Sequence, residues 1–265
     1  MRICEAMNKL PKAIRRPLGD MRRKLLSSLR RNEYRLSDRG PIVSFTFDDF
    51  PRSALETGGA ILRSYGAYGT FYAAMGLMGH GGQVGEYFCS EDLKRLLAEG
   101  HELGSHTFSH LSCRNTPLPA FLLDTHAGRE AISKVTGGSG PHHFAYPFGH
   151  VTLRAKSRVG SQMGTCRSIF AGVNVTPVDA YLLLANQLYS AAIDFGEIEH
   201  LLRVNDRRRG WLVFYTHDIR DNPSPFGCKP DHFEIVVRLA KQFQARILNI
   251  SSAFETLLAK PVYHG

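Results

Sequence analysis

The chain has 265 residues, of which 43% are hydrophobic and 22% are charged, and its formal net charge is +9. These values are ordinary for a globular protein and leave room for one large α/β domain or two small ones. Residues 1–40 hold twelve Lys/Arg and four Asp/Glu, a net of +8, so the remaining 225 residues carry about +1. We therefore expect a nearly neutral body, preceded by a basic segment, and no nucleic-acid partner.

The spacing of the cysteines and the length of the apolar runs indicate in which cellular compartment the protein is expected. The five cysteines include no C-x-x-C pair, which argues against a disulfide framework or a zinc knuckle. No apolar h-region of roughly 7–15 residues precedes residue 40, and no run approaches the roughly 18 residues of a transmembrane helix. The sequence therefore predicts a cytoplasmic protein with reduced thiols.

We divide the chain into a basic N-terminal arm, residues 1–40, and a catalytic domain, residues 41–265. Leu25, Leu26 and Leu29 alternate with basic residues, a spacing typical of a short amphipathic helix with a basic face. One interpretation is a segment that docks on the body. The other is a peripheral contact with an anionic membrane.

From residue 41 onward, short apolar runs alternate with helical stretches, which predicts an α/β fold with a mostly parallel sheet. Seven such units favour a barrel over two small sheets. The predicted strands are Ile42–Phe47, Gly69–Ala73, Glu102–Ser105, His142–Tyr146, Thr165–Phe170, Trp211–Thr216 and Arg246–Asn249. The predicted helices are Ser53–Tyr65, Ser90–Glu99, Pro119–Val135, Thr152–Ser161, Glu197–Asn205, Asp231–Gln244 and Ser251–Leu258.

Asp48 and Asp49 follow the first predicted strand, and His106 and His110 follow the third. One carboxylate and two imidazoles are a sufficient ligand set for a divalent metal with an open position, and the other carboxylate suits a general base. The spacing of four places both imidazoles on one face of a helical turn. The alternative interpretations are a turn or helix cap for the acids and a chance pairing of the histidines. The pattern favours a metal-dependent hydrolase.

Two later strands also end in candidate site residues, and strand ends share one face of a barrel. The turn Tyr146–Gly149 offers a backbone N–H to an oxyanion and an aromatic wall to a sugar ring, or is simply packing. His217 follows Trp211–Thr216 and suits a general acid for a leaving amine. Asp218 either orients it or caps the next loop. Arg167 reaches the site or lies on the surface.

The motifs T-F-D-D, S-H-T-F-S-H, F-A-Y-P-F-G and T-H-D, in this order, resemble the polysaccharide deacetylase family, the NodB homology group or carbohydrate esterase family 4. The resemblance covers roughly residues 41–250. It implies a distorted, incomplete (β/α) barrel of about seven parallel strands and a divalent metal, commonly zinc. It further implies metal ligation by Asp49, His106 and His110, catalysis by Asp48 as base and His217 as acid, and the Phe148 N–H at the oxyanion. We expect Tyr146, Pro147, Phe148 and Arg167 to form the substrate side.

Two departures from the family qualify this resemblance. Many members carry an arginine where this chain has Ala145, and that arginine orients the base; we expect Arg167 to supply the charge here. The family's Asp-Trp motif is not recognisable. We predict hydrolysis of N-acetyl groups from an amino-sugar glycan with release of acetate. The alternatives are a metal-dependent amide or imide hydrolase with a small non-sugar substrate, and a non-catalytic glycan-binding member.

Overall fold

The structure is a computed structural model that describes residues 24–29, 31–37, 40–138 and 140–259. Within these ranges the chain alternates strands and helices, and all seven predicted strands are present. The strands are β1 (Glu33–Leu36), β2 (Ile42–Asp48), β3 (Thr70–Ala73), β4 (Gly81–Gly82), β5 (Gly85–Glu86), β6 (Glu102–Ser105), β7 (His143–Ala145), β8 (Thr165–Arg167), β9 (Val178–Asp179), β10 (Asn186–Gln187), β11 (Trp211–Thr216), β12 (Arg246–Ile247) and β13 (Leu257–Ala259).

The main sheet has eight strands in the order β10-β11-β2-β3-β6-β7-β8, with β12 paired to the start of β2. Every one of these pairs is parallel. Leu183 forms a bridge with Arg167 in β8, and three residues later Asn186 pairs with Phe214 in β11. One short segment therefore connects the two outer strands, and the sheet curls into a distorted, incomplete barrel, as the resemblance implies.

Alternation along β2 separates the two faces of the sheet. Val43, Phe45 and Phe47 pack into the core beneath the helices, where the Phe47 ring stacks on Phe71 with centroids 4.5 Å apart. On the other face, Ser44 accepts a 2.9 Å hydrogen bond from the indole of Trp211. This polar inner face ends at Asp48, the last residue of the strand.

The helices pack outside the sheet and agree with the predicted ones to within a few residues, except the last. The predicted helix Ser251–Leu258 ends at Phe254, because Leu257–Ala259 pairs with β1 as strand β13. Helix α1 spans residues 52–64 and contains a π-helical stretch, Ala54–Gly59, followed by Ala60–Ser64. The others are α2 (Ser90–Ala98), α3 (Leu118–Val135), α4 (Leu153–Gly160), α5 (Phe195–Arg208), α6 (Pro230–Gln242) and α7 (Ile250–Phe254). None of the helices within the described ranges is long and apolar enough to cross a bilayer.

The described part of the basic arm is docked on the body. Residues 24–28 are helical, and β1 pairs antiparallel with both β9 and β13. The buried ammonium of Lys156 donates hydrogen bonds to the carbonyl oxygens of Leu26 and Leu29, at 2.6 and 2.8 Å, and to a carboxylate oxygen of Asp179 at 2.6 Å. Three acceptors thus satisfy all three ammonium donors.

The structure corrects the prediction that Leu25, Leu26 and Leu29 share one apolar face of the arm. Leu26 is only 3% exposed and lies in the core beside α4, whereas Leu25 and Leu29 remain exposed. The three leucines therefore do not form one free stripe, because the carbonyls that Lys156 binds fix the helical turn with Leu26 inward. Residues 1–23 lie outside the described ranges, and the division at residue 40 stays a prediction.

Candidate active site

The strand β2 ends in an abrupt turn that exposes two neighbouring carboxylates to one cleft. Asp49 and Phe50 have positive φ values of 61° and 52°. Aspartate tolerates this left-handed region, but phenylalanine rarely adopts it. Packing holds Phe50 there, since its ring stacks on Phe88 at a centroid distance of 4.9 Å. The turn places the side chains of Asp48 and Asp49, both largely buried, at the mouth of the barrel.

Asp49, His106 and His110 form a cluster with the donor atoms of a metal site. Oδ1 of Asp49 lies 3.1 Å from Nε2 of His110 and 3.5 Å from Nε2 of His106. One donor atom from each residue lies within 4.8 Å of the others. Oδ1 of Asp49 is buried and accepts no hydrogen bond from any described residue. Since such an atom is costly to leave unpaired, the cluster fits a divalent cation.

The protonation of the two histidines also suits a metal. Nδ1 of His106 lies 2.7 Å from the carbonyl oxygen of Ala145. Because a carbonyl only accepts, we assign the proton to Nδ1, which leaves the Nε2 lone pair facing Asp49. Burial lowers the pKa of His106 to about 3 and also lowers that of His110. Both rings are therefore neutral near pH 7, the form that binds metals.

A loop, and not the predicted helical turn, brings the two imidazoles together. Thr107 and His110 have positive φ values of 64° and 55°, which no α-helix contains. A carboxylate oxygen of Asp124 in α3 accepts hydrogen bonds from the backbone N–H groups of Phe108 and Ser109, at 3.1 and 3.0 Å. The ring centroids of the two histidines are 4.9 Å apart. The loop conformation is therefore held by the carboxylate of Asp124, and not by hydrogen bonds within a helical turn.

Asp48 forms a buried ion pair with Arg167. Nη2 of Arg167 donates to Oδ1 of Asp48, and Nη1 donates to the carbonyl of Ser168 at 3.2 Å. The guanidinium lies between the rings of Tyr72 and Tyr215, 5.2 and 5.0 Å from their centroids. Arg167 is buried below the cleft and does not line it. Its position is that of a partner for Asp48, and the predicted direct contact with substrate is not supported.

The two adjacent carboxyls have opposite pKa shifts. Burial alone would raise the pKa of Asp48, but the charge and hydrogen bond of Arg167 together with His106 and His217 outweigh it, and the pKa falls below its ordinary value. For Asp49, burial raises the pKa to about 6, with a further increase from the Asp48 carboxylate and a partial offset from His217. Asp48 therefore stays ionised at lower pH than its neighbour.

His217 faces the same cluster from the end of β11. Its Nε2 lies 4.0 Å from Oδ2 of Asp49, and its Nδ1 lies 3.2 Å from the carbonyl oxygen of Phe226. Asp218 accepts hydrogen bonds from Arg220 and Ser224 within the following loop. These bonds organise the loop 218–228, which carries the Phe226 carbonyl beside His217.

The turn after β7 presents one side chain to the cleft. Phe148 has a φ of 58°, is 56% exposed, and its ring centroid lies 4.4 Å from that of His110. Tyr146 is 1% exposed and packs on Phe144, and Pro147 is also buried. The expectation that the side chains of Tyr146 and Pro147 contact substrate is therefore not supported, because the positive φ at Phe148 turns its ring outward and leaves the two preceding residues in the core.

A cleft of about 530 Å³ joins these groups. Several residues that line it were not predicted from the sequence. The glycine-rich stretch 79–85 signals a turn, but nothing local indicates that its hairpin, β4 and β5, reaches the cleft. The additional lining residues are Gln83, Val84, Tyr87, Ile169, Gln187, Tyr189, Tyr215 and Phe226. Their aromatic rings give the cleft largely apolar walls.

Residues 35–165 match the sequence model of a family described as "Polysaccharide deacetylase". A chitin deacetylase from Arthroderma benhamiae (strain ATCC MYA-4681 / CBS 112371) is 29% identical over 107 residues, which are 40% of this chain and 27% of that protein. The match thus spans about a quarter of the length of this curated relative.

Several solved structures share the fold. A family 4 acetyl xylan esterase from Clostridium thermocellum, in complex with a cobalt ion, has a TM-score of 0.55 at 18% identity, over 81% of this chain and 90% of that one. The peptidoglycan deacetylase PdaC from Bacillus subtilis has a TM-score of 0.51 at 19% identity, over 83% of this chain and 93% of that one. A peptidoglycan N-acetylglucosamine deacetylase has a TM-score of 0.57 at 15% identity, over 85% and 93%. At these identities the likeness establishes the barrel alone.

Proposed function

Because the chain belongs to the polysaccharide deacetylase family, we propose that it hydrolyses the N-acetyl groups of an amino-sugar glycan, such as an N-acetylglucosamine oligomer, and releases acetate. The observation that carries the proposal is that three chemical groups lie in one cleft. These are a donor cluster for a cation, a carboxylate paired with a buried arginine, and a histidine whose Nε2 faces the cluster. The names of the relatives, a chitin deacetylase and peptidoglycan deacetylases, support the substrate class.

We infer that Asp49, His106 and His110 hold a divalent cation, and zinc suits one carboxylate oxygen and two imidazole nitrogens. The unpaired Oδ1 of Asp49 and the Nδ1–H of His106 on a backbone carbonyl support this inference. When bound, such a cation supplies Lewis-acid chemistry, since it lowers the pKa of water and polarises a carbonyl oxygen.

Two different side chains of the protein would then carry out the two proton transfers. Asp48 accepts a proton from the attacking water, and Arg167 holds this carboxylate in place and ionised. The backbone N–H of Phe148 donates to the oxyanion. Nε2 of His217 protonates the departing amine. The C–N bond breaks, and acetate and a free amino sugar leave.

The first test is acetate release from N-acetylglucosamine oligomers by zinc-loaded protein, with a chelated sample beside it. We expect release that the chelator abolishes and added zinc restores. Full activity in the chelated, metal-free sample would contradict the metal assignment. No release from a protein that still binds one zinc would favour a small non-sugar amide substrate. No release and no zinc binding would favour a glycan-binding member without catalysis.

We also propose a cytoplasmic enzyme whose basic N-terminal arm, residues 1–40, contacts an anionic membrane. The net charge of +8 and the exposed side chains of Lys24, Leu25 and Leu29 support this. The full chain should sediment with phosphatidylserine vesicles at low salt, less at high salt, and not with phosphatidylcholine vesicles. Salt-insensitive or absent sedimentation would contradict the contact.

A further inference from the structure

We propose that Asp218 is a positioning residue for His217: it holds the loop 218–228 so that the Phe226 carbonyl keeps the proton on Nδ1 of His217 and leaves Nε2 facing the cleft. The inference rests on the proposed function, because it explains how the general acid is oriented. Asp218 touches no reacting atom in this scheme and acts through the backbone of the loop.

The first step is the contact between His217 and the loop. The carbonyl oxygen of Phe226 lies 3.2 Å from both the backbone nitrogen and Nδ1 of His217, and the hydroxyl of Thr216 donates to it at 3.3 Å. A carbonyl oxygen only accepts, so Nδ1 must carry the proton. The other nitrogen, Nε2, points toward Asp49 at 4.0 Å. One backbone carbonyl therefore selects the tautomer of His217.

The second step connects that carbonyl to Asp218. The side chain of Asp218 is fully buried; its Oδ2 accepts from the backbone N–H of Ser224 at 2.8 Å, and its Oδ1 accepts from the hydroxyl of Ser224 at 2.6 Å. The hydroxyl oxygen of Ser224 in turn accepts from the backbone N–H of Phe226 at 3.2 Å. Asp218 and Phe226 are thus linked through Ser224, with no side-chain contact to the histidine required.

The third step is that tight packing restricts the conformation of the loop 218–228. A Cβ placed on Gly227 would lie 2.3 Å from Oδ1 of Asp218, so the carboxylate fits directly against the backbone that follows Phe226. The carbonyl of Asp218 accepts from the N–H of Cys228 at 2.8 Å, and Ile219 and Cys228 form a parallel bridge. Moving the carboxylate would therefore move the Phe226 carbonyl.

This arrangement specifies which proton is delivered. The protonated ring of His217 donates its Nε2 proton to the leaving amine: the Nε2–H bond breaks, a new N–H bond forms on the amine, and the ring becomes neutral. The remaining proton is on Nδ1, where the carbonyl of Phe226 accepts it. The neutral form that the loop stabilises is thus the form left by productive transfer.

The first test compares two leaving groups in the zinc-loaded full chain. An amide needs a proton on its leaving nitrogen, whereas the phenolate of an aryl acetate leaves without one. Asp218→Asn and Ser224→Ala should lower kcat for an N-acetylglucosamine oligomer by roughly tenfold or more, with KM, zinc content and aryl acetate hydrolysis much less affected. Asp221→Asn, an exposed aspartate in the same loop, is the matched control. Equal losses on both substrates would indicate general damage and overturn the proposal.

The second test needs no turnover. In protein labelled with ¹⁵N-histidine, the His217 signals are assigned by their loss in His217→Gln. The neutral ring should be the Nδ1–H tautomer in the wild type and a mixture in Asp218→Asn. A wild-type ring in the Nε2–H form, or an unchanged ring in Asp218→Asn, would overturn the proposal. If the proposed function alone were wrong, the wild type would release no acetate while its ring kept the Nδ1–H form.

Discussion

Arg167 donates a hydrogen bond to Asp48, and this buried ion pair joins the ends of β8 and β2 beneath the cleft. The two residues are 119 positions apart in the chain. Both side chains are largely buried, so each charge depends on the other for compensation. The pair therefore connects the stability of the barrel to the state of the proposed base.

Removing one partner of this pair should be costly. Arg167→Met leaves the Asp48 carboxylate buried without its cation, and we expect a loss of about 3–5 kcal/mol in the free energy of unfolding. In an Asp48→Asn background the same substitution should cost markedly less. Urea unfolding of the wild type, both single variants and the double variant measures the coupling. Strictly additive losses would contradict a functional pair.

Asp48→Asn should abolish catalysis without removing the metal. The amide cannot accept the proton of the attacking water, so we expect acetate release to fall by roughly 100-fold or more. Asp49 and the two histidines are untouched, so zinc content should stay at the wild-type level. Acetate release and metal analysis on the same sample check both. Asp206→Asn, exposed on α5, is the control. Near-normal turnover would rule out Asp48 as the base.

Zinc affinity should decrease as the pH falls through about 6. Burial raises the pKa of Asp49 to about 6 in the metal-free protein, and only the carboxylate binds the cation. Above this pH the ligand is already ionised, whereas below it each binding event must release a proton. Competition with a chromophoric chelator between pH 5 and pH 8 measures the dissociation constant. An affinity that is constant across this range would contradict the assignment of Asp49 as a ligand.

Gly128→Ala should weaken metal binding from a distance. A Cβ at Gly128 would lie 2.6 Å from the carbonyl carbon and oxygen of Thr107, in the loop that holds both imidazoles. Alanine is favoured over glycine inside a helix by about 1 kcal/mol, but the displaced loop should raise the zinc dissociation constant roughly tenfold. Gly140→Ala is the matched control, since the nearest atom there is 4.0 Å away. Equal affinity in both variants would refute the prediction.

Phe148→Ala should affect substrate binding more than stability. The ring is already more than half exposed, so little buried area is lost and the melting temperature should hardly change. Loss of one aromatic contact worth about 1 kcal/mol should raise KM for the glycan by about fivefold. Leu123→Ala, an exposed apolar residue on α3 that does not line the cleft, is the control. An unchanged KM would exclude Phe148 from the sugar site.

The parallel strands could be predicted because short runs rich in apolar residues alternate with helical stretches along the chain. The predicted bounds of Glu102–Ser105 and Trp211–Thr216 coincide with β6 and β11. The pair Asn186–Gln187 was not predicted, since two polar residues give no periodicity and pair only because β11 is beside them. Local pattern therefore identified the elements, while the closure of the barrel depends on contacts made far along the chain.

The residues of the proposed site could be identified, but not all of their geometry. The helical turn expected for His106 and His110 is a loop, because Asp124 supplies hydrogen bonds that no local spacing indicates. The role of Arg167 beside Asp48 depends on a contact across the barrel. Tyr146 was expected at the substrate and is in the core, since the direction of a side chain in a tight turn depends on φ values that residue types do not specify.

The buried ammonium of Lys156 anchors the N-terminal segment to the barrel through hydrogen bonds. Two of its three acceptors are backbone carbonyls of residues 26 and 29, so a chain shortened to begin at residue 40 would strand a positive charge with Asp179 alone. It would also remove β1 from between β9 and β13. The first of these acceptors, Leu26, lies nine residues upstream of the family match, so a chain cut at the start of that match would lose these contacts.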